Sequence, residues 1–275
     1  MRLLSVWVAA VSLAACLGDG AILTIGSTST TQDSGILDAL LPAFEKGTGV
    51  RARAAVGGTG QIIEAARRGD VDVLFTHSPA REHALVDEGW AVTRQPVMFN
   101  RFVIAGPASD PAHVASAENA PDAFGRIHDN RSTFVSRGDT SGTHDKELGV
   151  WRSAGLDPAS FDPGWYKETG AGQGQTLTTA AEFGAYLLVD EATLRQSHEH
   201  GRGTDLGILF SNDDALHNQY AVTQLNAARL PRGIDVERAD RFADWITGMD
   251  GQAAIASFKV GDIPAFTPNA DPAGA

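Results

Sequence analysis

Three stretches of the chain repeat one construction, in which an apolar strand leads through a loop of glycines and hydroxyls into a helical pattern. They lie at residues 27–35, 57–60 and 136–144. The N-terminus of a helix leaves about four backbone N–H groups without intrahelical partners and carries roughly half a positive charge. Glycines let an anion approach these donors, and hydroxyls add further donors. Residues of these types also cap ordinary helices, but three such starts in one chain indicate an anion-binding site.

The third loop supplies a fixed charge. Arg137 stands between Ser136 and Gly138, a few residues before the apolar positions of the next helix. Its guanidinium does not titrate at physiological pH and presents a planar fork of N–H donors. The loop at residues 57–60 lacks the lysine of a phosphate-binding P-loop, and no stretch fits the dinucleotide fingerprint.

The composition limits the partners. The chain has 275 residues, 43% of them hydrophobic, which is enough for a large core in one or two domains. A formal net charge of -12 argues against nucleic acid and against an anionic membrane surface, since both attract clusters of lysine and arginine. A small anion needs only local donors.

His198 and His200 are spaced as two metal ligands, but no third ligand accompanies them, so we expect a solvated loop at residues 196–203 and no metal site.

The first residues have the pattern of an export signal. A positive start and an apolar run at residues 3–15 precede Cys16, the one cysteine of the sequence, and the run is too short to span a bilayer. Because residues 13–16 resemble a bacterial lipobox, we expect residues 1–15 to be removed as a signal peptide and Cys16 to be lipidated. The alternative is an ordinary signal peptide with an incidental cysteine. In both cases the protein is expected to be exported to the periplasm or cell surface, anchored to the membrane in the first case.

Beyond these loops, short apolar runs alternate with helical patterns. Strands are expected at residues 21–26, 71–75, 98–107 and 186–190, with helices between them. This alternation predicts an α/β fold with mainly parallel sheets. In open sheets of this kind, ligands bind at the carboxyl ends of the strands.

Five short motifs follow one another in the order in which a known family carries them, at residues 27–35, 56–61, 72–79, 97–107 and 136–144. From about Ile22 to about Phe258 the chain resembles the tungstate-binding component of bacterial tungstate ABC importers, within the oxyanion-binding periplasmic proteins. The resemblance implies a two-domain periplasmic-binding-protein fold, type II-like, with the ligand cleft between the domains. Domain I would comprise residues 20–104 and 222–265, and domain II residues 105–221.

The resemblance also implies a function and a site. The protein would capture tungstate, or molybdate, and deliver it to the membrane permease of an ABC importer. It would act as a monomer, without a cofactor, a metal or catalytic activity. Hydroxyls of the first loop, a donor from the second loop and the Arg137 loop would hold the oxyanion. The implied ligand residues are Thr28, Ser29, Thr30, Gly58, Thr59, Arg137, Ser141, Gly142 and Thr143.

The chain departs from the family pattern at three places. Residues 27–30 read Ser-Thr-Ser-Thr where the family has Thr-Thr-Thr-Ser, so hydroxyls are kept but the contacting ones stay open. The second loop carries one more glycine. Residues 190–193 read Asp-Glu-Ala-Thr instead of Asp-Arg-Gly-Thr, which leaves the role of that stretch open.

A phosphate- or sulfate-binding protein of the same fold is the nearest alternative. Residues 137–143 also resemble the Arg-x-Asp-x-Ser-Gly-Thr loop of phosphate-binding proteins, which use a carboxylate at the end of a neighbouring strand to accept the proton of phosphate. Here that strand ends in Thr-His-Ser at residues 76–78. Because a carboxylate would repel a fully deprotonated dianion such as tungstate, the sequence favours a proton-free oxyanion. Asp139 is then expected to orient Arg137 or the loop backbone.

A hydrolase is the alternative from another class of protein, with Ser141 or Ser34 as nucleophile and His144 as base. No Gly-x-Ser-x-Gly elbow surrounds either serine. His144 also lies only three residues after Ser141 on a helix start, which is a poor position for its base. The sequence therefore favours binding over catalysis.

Overall fold

A computed structural model describes residues 21–270 of the chain. The expected signal peptide and Cys16 lie outside the described residues. Within residues 21–270 the structure has ten α-helices and twelve β-strands. No helix in this range is long and apolar enough to cross a membrane.

The helices and strands alternate over most of the chain. The helices are α1 (Ser29–Asp33), α2 (Ile36–Thr48), α3 (Thr59–Arg68), α4 (Pro79–Asp87), α5 (Ala120–Asp129), α6 (Gly142–Ser153), α7 (Gln173–Phe183), α8 (Glu191–Glu199), α9 (Val236–Thr247) and α10 (Met249–Ser257). The strands are β1 (Leu23–Thr28), β2 (Ala52–Gly57), β3 (Val73–Thr76), β4 (Ala91–Pro107), β5 (Phe134–Ser136), β6 (Tyr166–Glu168), β7 (Leu187–Asp190), β8 (Leu206–Phe210), β9 (His217–Leu225), β10 (Lys259–Val260), β11 (Ile263–Pro264) and β12 (Thr267–Pro268).

Helix α3 shows how the sequence sets the limits of a helix. Ile62, Ile63 and Ala66 are buried and recur at the spacing of one helical face. Gly69 ends the helix in the left-handed conformation, with φ 71°, which glycine adopts without the steric penalty of a side chain. Because β2 ends at Gly57 and α3 begins at Thr59, the start of α3 lies at the carboxyl end of β2.

The main sheet has the strand order β12-β4-β9-β3-β1-β2, and β7 and β8 also pair with β4. Strand β1 runs parallel to β2 and β3, whereas β9 runs antiparallel to both β3 and β4. The α/β class is confirmed, but the expectation of mainly parallel sheets is wrong. The reason is that the chain leaves the β1–β3 region through the long strand β4 and returns beside it through β9.

The buried apolar side chains form two sets that meet along β4. Two clusters draw on residues 23–98 and 220–266, with Ala192 as the one buried residue from elsewhere. The other two clusters draw on residues 102–216. Met98 belongs to the first set and Phe102 to the second. Strand β4 therefore passes from one core to the other within a few residues.

Two local predictions are wrong. The first hydroxyl-rich stretch is not a loop throughout, because Thr28 caps the short helix α1 by accepting a hydrogen bond from the Thr31 N–H. The predicted loop at residues 196–203 is partly the end of α8, which Asp190 caps. His198 and His200 each contact a backbone carbonyl. In the described part of the chain, no group of three or more His, Cys, Asp or Glu residues is arranged to hold a metal ion.

Candidate functional site

The N-termini of three helices meet at one place. Thr30 Oγ1 on α1 lies 3.4 Å from Thr143 Oγ1 on α6, although 113 residues separate them in sequence. The Gly142 N–H, at the start of α6, donates to Thr59 Oγ1 on α3 over 2.9 Å. Each start presents backbone N–H groups that lack intrahelical partners, together with the positive end of a helix dipole. The structure therefore brings all three predicted loops together at one candidate site.

Arg137 supplies the charge of this site. Its guanidinium is 2% exposed and donates from Nη1 to Thr30 Oγ1 over 3.1 Å and from Nη2 to Ser29 Oγ over 3.3 Å. The Nε group donates to the Ala171 carbonyl over 3.2 Å. A charged group removed from water must be satisfied by partners of fixed geometry. The guanidinium is thus held with its fork directed at the hydroxyls of the first loop.

Asp139 fixes the Arg137 loop, as expected from the sequence. One carboxylate oxygen accepts from Arg137 Nη2 at 2.5 Å. The other accepts from the backbone N–H of Ser141 at 3.0 Å and from its hydroxyl at 2.5 Å. Ser141 in turn caps α6 by accepting from the His144 N–H. Both oxygens of Asp139 are therefore engaged by the loop that it orients.

The nine residues suggested by the sequence occupy two kinds of position. Thr28, Gly58 and Ser141 are the N-cap residues of α1, α3 and α6. The remaining residues make contacts that join one loop to another, and they are Ser29, Thr30, Thr59, Arg137, Gly142 and Thr143.

Three threonine side chains at this candidate site are buried. Thr30, Thr59 and Thr143 are each 0% exposed. Hydrogen bonds and charges act more strongly in such surroundings than in bulk water, and an unpaired polar group costs more. The arrangement therefore suits an anion that satisfies several donors at once.

A fourth helix start lies beside this candidate site, and the sequence did not suggest a role for it. Helix α7 begins after Gly172, where an added Cβ would lie 3.6 Å from Ser29 Oγ. Asp33, at the end of α1, accepts a hydrogen bond from the Gly174 N–H over 2.9 Å. Burial raises the pKa of Asp33. The glycine-rich run at residues 170–174 before a helical pattern was the available signal.

The strand end that carries a carboxylate in phosphate-binding proteins presents different chemistry here. His77 is buried, and burial lowers its pKa to about 4, so the ring is neutral at physiological pH. Thr76 Oγ1 and the Ser78 N–H both donate to Glu82 over 2.7 Å. Glu82 is also paired with Arg94 at 2.8 Å. The Glu82 carboxylate, close to this strand end, is thus already engaged by Thr76, Ser78 and Arg94.

The contacts of His144 do not form a catalytic pair with either candidate nucleophile. Its Nδ1 contacts the carbonyl oxygen of Asp139. The Ser141 hydroxyl donates to the Asp139 carboxylate, and the Ser34 hydroxyl donates to the Thr31 carbonyl over 2.8 Å. A general base must reach the proton that it removes. The contacts of the His144 ring therefore argue against the hydrolase alternative.

Comparison with known proteins agrees with the fold and with the motifs. A PBP superfamily domain matches residues 18–249. The tungstate-binding protein TupA of Peptoclostridium acidaminophilum is 37% identical over 255 residues, which cover 90% of this chain and 86% of that protein.

Two solved structures are similar over most of the chain. The tungstate-binding protein TupA from Desulfovibrio alaskensis is 37% identical with a TM-score of 0.76, covering 92% of this chain and 100% of that one. The tungstate ABC transporter structure from Geobacter sulfurreducens is 40% identical with a TM-score of 0.77, covering 86% and 98%. The α/β periplasmic-binding-protein fold expected from the sequence is confirmed. The chain belongs to the PBP superfamily and, within it, to the tungstate-binding components of ABC importers, a family of exported solute-binding proteins and not of enzymes.

Proposed function

We propose that this protein captures tungstate, or the closely similar molybdate, and delivers it to the membrane permease of an ABC importer. The observation that carries the proposal is the buried guanidinium of Arg137, which donates to hydroxyls of Ser29 and Thr30 more than 100 residues away in sequence. A buried guanidinium that is held by Asp139 and also faces hydroxyl groups, at the meeting point of helix N-termini, supports an anion site here.

The residues that contact another loop are the proposed ligand donors, and the N-cap residues have a supporting role. Ser29, Thr30, Thr59, Arg137 and Thr143 offer side-chain donors, and Gly142 offers its N–H group. Thr28, Gly58 and Ser141 hold the loops at the helix starts. Several charge-assisted hydrogen bonds of about 1.5–3 kcal/mol each support tight binding after the cost of ordering the ligand.

Binding would couple to closure of two domains, comprising residues 20–104 with 222–265 and residues 105–221. The two sets of buried apolar side chains support this division, and β4 and β9 would connect the domains. Contacts between the sides include the ion pair of Arg81 with Asp145, at 2.7 Å, and the Gly60 N–H donating to the Thr140 carbonyl at 3.2 Å. An anion that touches both sides binds the closed form more strongly and shifts the population toward it.

A fully deprotonated dianion fits these donors better than phosphate does. Phosphate near neutral pH carries a proton that needs an acceptor. Both oxygens of Asp139 already accept hydrogen bonds from Arg137 and Ser141, and His77 stands at the strand end where an acceptor carboxylate would be placed. Phosphate or sulfate remains the second candidate because of the Arg-x-Asp-x-Ser-Gly-Thr sequence of the third loop.

Isothermal titration calorimetry of the mature domain tests the proposal. Tungstate and molybdate are expected to bind tightly with one site per chain, whereas excess sulfate or phosphate leaves the tungstate isotherm nearly unchanged. Phosphate that displaces tungstate, and does so better at lower pH, would instead support the second candidate.

Gly60 provides a test of closure. An added Cβ would lie 2.7 Å from Thr140 Oγ1 and 3.0 Å from Thr140 Cβ, across the contact between the two sides. Since overpacking of this kind costs about 1–3 kcal/mol, Gly60→Ala is expected to weaken tungstate binding about tenfold, measured by calorimetry. The matched control is Gly125→Ala on α5, where an added Cβ meets no atom within 4 Å. Equal affinities for the two variants would contradict closure at this contact.

The remaining parts of the proposal rest on the sequence. We propose that the exported protein is a monomer, anchored to the membrane through lipidated Cys16. An anchor of this kind would keep the loaded protein close to its permease, with the cleft free to take up the anion.

A further inference from the structure

Asp190 is a buried carboxyl group that does not touch the proposed anion site. It ends β7, is 0% exposed, and is surrounded by hydrogen-bond donors. Asn100 Nδ2, Asn218 Nδ2 and the Tyr220 hydroxyl each donate to Oδ2 over 2.9 Å, and the Thr193 N–H donates to Oδ1 over 3.0 Å. A buried carboxyl with this many partners holds its surroundings in one geometry.

The partners on Oδ2 lie on the two strands that connect the cores. Asn100 is on β4, Asn218 is on β9, and the two residues are opposite each other in the sheet. Asn218 Nδ2 also donates to Asn100 Oδ1 over 2.9 Å, and Asn218 Oδ1 contacts His77 Nδ1 at 2.9 Å. The His77 ring stacks on Tyr220 with 4.7 Å between ring centroids. Asp190 thereby ties β7 to both connecting strands and to the end of β3.

The partner on Oδ1 leads to the anion site. Thr193, in the first turn of α8, is 0% exposed, and its hydroxyl donates to the carbonyl oxygen of Thr30 over 3.4 Å. Thr30 is the residue whose hydroxyl accepts from Arg137 Nη1. A chain of contacts therefore runs from the connecting strands, through Asp190 and the start of α8, to the backbone of α1.

We propose that Asp190 and Thr193 are positioning residues of the anion site, with Asp190 fixing the start of α8 and Thr193 holding the backbone of Thr30 against Arg137. This inference rests on the proposed function. Small displacements of a donor set weaken binding because every hydrogen bond depends on distance and angle. The side chains of the two neighbouring positions play other parts, since Glu191 pairs with Arg195 at 2.6 Å and Ala192 packs in a core.

Thr193 gives the sharper test, because valine matches its shape without the donor and serine keeps the donor. Calorimetric titration of the mature domain with tungstate is expected to give a Kd about fivefold higher for Thr193→Val than for the wild type, the effect of one lost hydrogen bond. Thr193→Ser is expected to stay within about twofold of the wild type. Melting temperatures without tungstate are expected to be close for the three proteins, which separates positioning from loss of fold.

Asp190→Asn tests the route through Thr193. The amide puts an N–H group among existing donors, and the Kd for tungstate is expected to rise about tenfold. If Asp190 acts through Thr193, the double variant with Thr193→Val binds no more weakly than Asp190→Asn alone. Additive losses, or a Thr193→Val variant with the wild-type Kd, would overturn the inference. A wild-type protein that gives no heat with tungstate would overturn the proposed function, and this inference with it.

Discussion

Replacement of Arg137 by alanine is expected to weaken tungstate binding by about a thousandfold or more in calorimetric titration. The change removes two N–H donors to the first loop, at Ser29 and Thr30, and each charge-assisted contact contributes about 1.5–3 kcal/mol. It also leaves the carboxylate of Asp139 without its cation, so that the site would carry a negative charge toward a dianion. The lost attraction to the dianion and the added repulsion by Asp139 both lower the affinity for tungstate.

Two further variants show whether this effect is specific. Arg241→Ala removes a half-exposed arginine whose partner is Glu237 on the same helix, and its affinity is expected to equal that of the wild type. Arg137→Lys keeps the charge but loses the planar fork, so its affinity is expected to lie between those of the wild type and Arg137→Ala. An Arg137→Ala variant that binds within threefold of the wild type would place the anion elsewhere.

The starts of α3 and α6 could be predicted to within a few residues because each depends on local features, whereas the first helix was expected only after the hydroxyl-rich stretch and α1 was missed. An apolar strand, a run of small polar residues and a helical pattern follow one another within about 15 residues, and α1, α3 and α6 begin inside these stretches. The α/β class follows from the same alternation. Strand direction in the middle of the sheet could not be predicted from this alternation, because the pairing of β4 with β9 joins segments that are more than 100 residues apart.

Which hydroxyls cap a helix and which are left for the proposed anion could not be predicted, because both roles require the same residue types. Thr28 and Ser141 accept backbone N–H groups of their own helices. Thr30 and Thr143 face each other across 113 residues of sequence. Only long-range packing separates the two roles. The contribution of α7 through the contact of Asp33 with Gly174 depends on packing in the same way.

The second large effect is expected at Glu147, inside the core that lies beside the Arg137 loop. Glu147 is 1% exposed and accepts from Ser136 Oγ at 2.9 Å, Trp151 Nε1 at 3.2 Å and the Tyr166 hydroxyl at 2.7 Å. Glu147→Ala leaves three buried donors without a partner and opens a cavity. The free energy of unfolding is expected to fall by about 3–5 kcal/mol, measured by urea denaturation, which is a large part of the total for a typical domain.

Glu147→Gln separates the loss of partners from the loss of charge. Its amide oxygen can accept from Trp151 and Tyr166 while its NH2 group donates to Ser136, so the expected loss is about 1 kcal/mol or less. Glu182→Ala, an exposed glutamate on α7, is the control for removal of a carboxylate and is expected to change little. An unfolding free energy of Glu147→Ala close to that of Glu182→Ala would show that the three donors find water or other partners.

The pH dependence of the unfolding free energy, compared between the wild type and Glu147→Gln, gives an independent test. Burial raises the pKa of Glu147 above its ordinary value of 4.5, so the folded chain keeps this proton where the unfolded chain has lost it. The stability contributed by the proton is complete below about pH 4.5 and declines as the pH rises toward the folded pKa. Glutamine has no such proton, and the stability of Glu147→Gln relative to the wild type is expected to rise over this range. Because Ser136 Oγ also accepts from the Gly138 N–H at 3.1 Å, the buried carboxyl supports the backbone on both sides of Arg137.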